Sequence, residues 1–69
     1  MTTAVLYRDR FTDEPCVVVG LPYLDCGEYW LRIRSVEYNS QNQTACYNSD
    51  SALPVAADDI ERIGEVRLV

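Results

Sequence analysis

The stretch that decides the fold is Glu28-Tyr29-Trp30-Leu31-Arg32-Ile33-Arg34-Ser35-Val36. Tyr29, Leu31 and Ile33 alternate with Trp30, Arg32 and Arg34. In an extended chain successive side chains point to opposite faces, so the two sets separate. A helix would mix both arginines into its apolar side, and Trp, Tyr and Ile favour strands. The stretch is therefore read as a strand over residues 28–36. Leu31 and Ile33 point to a core; Trp30, Arg32 and Arg34 point away from it.

The reading extends outward on both sides. Asn39-Ser40-Gln41-Asn42 is a polar turn leading to a partner strand at 43–47, which predicts an antiparallel hairpin. Upstream, Cys16-Val17-Val18-Val19-Gly20-Leu21 is a β-branched run, too short for a helix and suited to a central strand. Residues 22–27, with Pro22, Asp25 and Gly27, are expected as a loop. Residues 4–11 read as a first strand, closed by the polar turn Thr12-Asp13-Glu14-Pro15. Downstream, 48–51 break the chain, and 54–59 can form one turn of helix with Pro54 near its start. A short strand is expected at 60–63, then an interruption at Gly64. Residues 65–69 alternate again, as a last strand or as an arm pairing with a second subunit. Turn signals at intervals of about 8–12 residues suit an all-β domain.

The chain has 69 residues, enough for one domain. A core of this size contributes only about 3–5 kcal/mol, so a partner subunit would add useful stability. The apolar fraction of 48% argues against disorder. The longest apolar run is far short of the roughly 20 residues that span a bilayer. The first residues lack a basic start followed by an apolar stretch, so no signal peptide and a cytoplasmic location are expected. Three cysteines, Cys16, Cys26 and Cys46, cannot close a full set of disulfides. Cys16 and Cys46 are expected as small buried hydrophobes, and Cys26 as exposed in a turn.

Net charge is −5, with eleven acids against six bases, every base an arginine. Lysine-free composition points to a GC-rich genome, such as that of a bacterium or a phage. The acidic balance disfavours direct nucleic-acid binding, which needs excess positive charge. With no histidine there is no Ser-His or Cys-His pair. With three separated glycines there is no phosphate-cradling loop. No catalytic residue, cofactor or metal site is expected. Asp58-Asp59 with Glu61 is the densest acidic group, and Asp58 or Asp59 is read as capping or charging the helical turn.

Trp30, Arg32 and Arg34 are the informative set. An indole offers apolar area, and guanidinium groups offer planar donors to carboxylate or phosphate; both side chains are enriched at binding hot spots. Tyr47, with Tyr23 and Tyr38, would extend such a patch. The competing reading buries Trp30 and pairs the two arginines with acids on neighbouring strands.

Five short strands with a helical turn before the last resemble an SH3-like barrel. The likeness rests on this order of parts and on Leu53-Pro54-Val55-Ala56-Ala57-Asp58-Asp59-Ile60-Glu61-Arg62-Ile63. It implies an all-β fold: a small SH3-like barrel of about five antiparallel strands. Ala4-Val5-Leu6-Tyr7 resembles the A-L-Y opening of signalling SH3 domains. Their paired tryptophans are matched by Tyr29-Trp30, and their late Pro-Tyr pair by Pro54 without a following aromatic. The tail Pro54-Val55-Ala56-Ala57, then Ile60-Glu61-Arg62-Ile63, is similar to the type II dihydrofolate reductases. Their Val-Gln-Ile-Tyr tetrad has no counterpart in residues 48–53.

The function expected is a non-catalytic binding or assembly module, of the kind encoded by mobile elements. It would contact a protein partner or itself through Trp30, Arg32, Arg34 and Tyr47, with no direct nucleic-acid or membrane partner. Alternatives are an acidic inhibitor that mimics nucleic acid, and an oligomeric pore enzyme related to the type II dihydrofolate reductases.

Overall fold

Alternation around Leu31 does produce a strand, and a longer one than expected. The computed structural model describes residues 2–69. The strands are β1 Thr2–Asp9, β2 Pro15–Asp25, β3 Glu28–Asn39, β4 Thr44–Tyr47, β5 Leu53–Ala56 and β6 Ile60–Leu68, with one 3-10 turn at Ala57–Asp59. The domain is all-β, and its sheet closes into a ring. β2, β1, β6, β4 and β3 follow one another in that order, and β2 pairs with β3. All pairings are antiparallel except β4 with β6, where Thr44 lies beside Arg67 and Ala45 beside Leu68.

β3 organises the molecule. β2 runs along one of its edges. The other edge is shared: β5 pairs with Trp30 to Ile33, and β4 pairs with Val36 to Asn39. The two halves also bury opposite faces. Leu6, Val17, Val36, Ala45 and Val66, one from each strand of the ring, pack as a first cluster. Cys16, Ile33, Val55 and Ile60 form a second, with Tyr7, Val18 and Leu31 packed against it. Leu31 and Ile33 thus point to a core as predicted. Val36, on the same face as Arg34, points to the other one. Burying a Leu, Ile or Val side chain contributes about 1.5–3 kcal/mol, so both clusters matter in a domain this small.

A one-residue slip lets β1 and β6 serve both clusters. Leu6 pairs with Gly64 but Tyr7 with Arg62, leaving Ile63 as a bulge. An extra residue flips the face of every residue after it. On one side of the bulge Leu6 and Val66 enter the first cluster; on the other Tyr7 and Ile60 reach the second.

Five expectations are corrected. Residues 22–25 are not a loop but the end of β2, because Cys26 and Gly27, with φ of 52° and 76°, make a two-residue turn. Two central residues at positive φ match the right-handed twist of a hairpin. Residues 53–56 are a strand, and the helical turn is confined to Ala57–Asp59. Gly64 does not interrupt β6, which pairs with β1 from Thr2 to Asp9. The tail is therefore committed to β1 and β4 of its own chain and is not a free arm. A sixth strand, β5, appears because β3 is long enough to take two partners along one edge.

Candidate functional site

The distal part of the β2–β3 hairpin projects from this body. Residues 20–29 are all exposed, and the molecule measures 40 × 20 × 18 Å. Among the described residues β1 pairs with β2 only at Pro15 and Cys16, and no strand pairs with the outer edge of β2 from Val17 onward. The arm begins at a bulge. Val19 pairs with Arg32 and Tyr23 with Trp30, so Gly20, Leu21 and Pro22 stand opposite Leu31 alone. Gly20 supplies the left-handed backbone there, with φ of 74°. Pro22 has no N–H to offer a ladder, which suits the bulge. Two extra residues keep the alternation in phase, so Tyr23 and Trp30 share a face with Val19 and Arg32.

That face holds two of the expected site residues, Trp30 and Arg32. Trp30 is half-buried beside Tyr23, and β5 flanks it through Ala56. Arg32 is exposed, with its guanidinium 5.7 Å from the Tyr23 ring centre. An open groove lined by Val19, Gly20, Leu21, Tyr23, Arg32 and Ala52 lies beside it. Arg34 is engaged by its own chain. It sits 3.6 Å from the centre of the Tyr47 ring. Its Nε and Nη2 donate to the Ser49 carbonyl at 2.9 and 2.7 Å, and Asp50 is 3.4 Å away. Arg34 and Tyr47 therefore hold the 48–51 loop, while Trp30 and Arg32 face outward. The structure divides the expected patch into these two pairs.

The remaining arginines are occupied. Arg8 pairs with Asp13 at 3.0 Å and with Glu61. Arg10 lies 3.8 Å from Glu61, and Arg62 lies 3.1 Å from Glu65. Arg67 donates to the Asn42 carbonyl at 3.1 Å. Among the described residues, Arg32 is the one arginine with neither a carboxylate nor a carbonyl partner.

Sequence reasoning missed the arm itself. The signal was present: strand-forming residues on both sides of a two-residue Cys-Gly connection read as a hairpin. Exposed Leu24 and Tyr29 on the opposite face of the arm, each 62% accessible, also belong to it. Asp58 and Asp59 do lie in the 3-10 turn, but no side chain caps it. Among the described residues no cluster of three or more metal-ligating side chains occurs, and no helix is long and apolar enough to cross a membrane. Cys16 is buried and Cys26 exposed as expected; Cys46 is only partly buried. Burial, and next the charge of Asp9, push the Cys16 thiol up from 9.0 to about 11. The chain matches no protein-family model, no curated protein and no solved structure.

Proposed function

We propose that this chain is a non-catalytic binding and assembly module of SH3-like architecture, contacting a protein partner or a second copy of itself through the Trp30–Arg32 face of its hairpin arm. The architectural reading is supported by the meander β2–β3–β5, the 3-10 turn after it, and a last strand that returns to β1. β4 is then an insertion at the far end of β3.

One observation carries the functional reading. Among the described residues Arg32 has neither a carboxylate nor a carbonyl partner, and it stands at the base of the arm beside Tyr23 and Trp30. Aromatic side chains and arginine are the groups most enriched at energetic hot spots of interfaces. Four of the eleven carboxylates, Asp13, Asp50, Glu61 and Glu65, face an arginine of the same chain and so add nothing to the acidic-inhibitor reading.

The test is capture by immobilised chain from a bacterial lysate, with wild type and Arg32→Ala compared after circular dichroism shows both folded. Proteins retained by the wild type and lost from the variant support the reading. Retention of the same proteins by both removes the Trp30–Arg32 face as the contact for another protein; retention of none by either leaves a second copy as the only partner this reading allows.

A further inference from the structure

We infer that the arm face is self-complementary and that its occupant is a second copy of this chain, bound about a twofold axis through Tyr23 and Trp30. The inference rests on the reading of this face as a contact surface and names its partner.

The register places the charges. Asp25 pairs with Glu28, Tyr23 with Trp30, and Val19 with Arg32. All six share one face of the hairpin. From tip to base that face reads two carboxylates, two aromatic rings, then one guanidinium. Glu28 and Arg32 lie on either side of Trp30 along β3, each two residues away. At about 3.3 Å per residue, each charge stands roughly 6–7 Å from the central pair.

A twofold interface brings residue i of one copy to j of the other and j to i. An axis through the aromatic pair therefore lays each Arg32 against the Asp25 and Glu28 of the other copy. Rings meet rings at the centre. No second patch is needed. Asp25 and Glu28 have no cationic partner among the described residues, and neither has Arg32 a carboxylate. These are the charges a twofold partner would satisfy.

The experiment is sedimentation of the purified chain across micromolar to millimolar concentration. Wild type is expected to move from a 7.9 kDa monomer towards twice that mass. Arg32→Glu alone, and Asp25→Arg with Glu28→Arg, each place like charges together and are expected to weaken association about tenfold or more. Mixed in equal amounts, these two variants restore opposite charges at both ends and are expected to associate with each other. Circular dichroism of each variant establishes that it is folded; if the double variant does not fold, Asp25→Lys with Glu28→Lys takes its place in both the single-species and the mixed measurement. A wild type that stays monomeric overturns the inference. So do charge variants that dimerise as well as wild type, or a mixture that remains monomeric. The wider reading of the face as a contact surface is decided separately, by the lysate comparison with Arg32→Ala.

Discussion

Cys26 holds a backbone conformation that its side chain disfavours. Its φ of 52° falls in the left-handed region, where a Cβ costs an ordinary L-residue about 1–2 kcal/mol. Asn tolerates that conformation and, followed by Gly, is the preferred pair for this turn. Cys26→Asn is expected to stabilise the fold by about 0.5–1 kcal/mol, read as a higher urea midpoint at unchanged slope. Cys16 shows the opposite chemistry. Its thiol is held neutral by burial and by Asp9, with the pKa raised from 9.0 to about 11. The folded state then keeps a proton that the unfolded chain releases. The stabilisation is complete below pH 9 and is lost as pH rises towards about 11. At a pH of about 9.5, between these two values, an aromatic disulfide reagent should label Cys26 at once and Cys16 only on unfolding. Fast labelling of Cys16 in the folded protein would contradict its burial.

The hairpin arm carries the proposed contact face, and on its body side Arg34 of β3 holds the 48–51 loop through the Ser49 carbonyl. Two donors on one carbonyl, with the guanidinium stacked on Tyr47, form an arrangement that lysine cannot reproduce. A hydrogen bond from a charged group contributes about 1.5–3 kcal/mol. Arg34 retains some solvent contact, so Arg34→Lys should cost about 1–2 kcal/mol. Amide exchange should quicken at residues 48–52 and stay unchanged in β1. Uniform quickening across the chain would mean that Arg34 supports the whole fold and not this loop.

At the scale of the molecule, two small clusters share one sheet. Leu6, Val17, Val36, Ala45 and Val66 lie on one face; Cys16, Ile33, Val55 and Ile60 lie on the other. Losses within a cluster should couple, and losses across clusters should add. Ile33→Val is expected to cost about 0.5–1.5 kcal/mol. Combined with Val66→Ala it should give the sum of the single effects within about 0.5 kcal/mol. Combined with Ile60→Val it should depart from the sum. Urea unfolding of the three single and two double variants decides this. Coupling of equal size in both pairs would mean one continuous core.

The alternation of residues 28–36 determined that β3 is extended, and the turn signals around it determined an all-β chain with a hairpin into β4. A period of two is a local property, legible wherever one face is buried. The helical turn before the last strand was legible from the Asp58-Asp59 pair, but β5 was not, because Pro54 reads as the start of that turn. What the tertiary structure decided was which face is inward at each point. β3 buries Ile33 on one face and Val36 on the other because different strands cover its two halves, and no local pattern records which strand arrives. The fate of the arginines was decided in the same way. Arg32 and Arg34 occupy equivalent places in the alternation, and only the return of the 48–51 loop, whose Ser49 carbonyl accepts from Arg34, engages one and leaves the other exposed. The arm was hidden by Pro22, whose ordinary meaning is a loop. The bulge at Gly20 absorbs it, so the two strands resume their pairing beyond it.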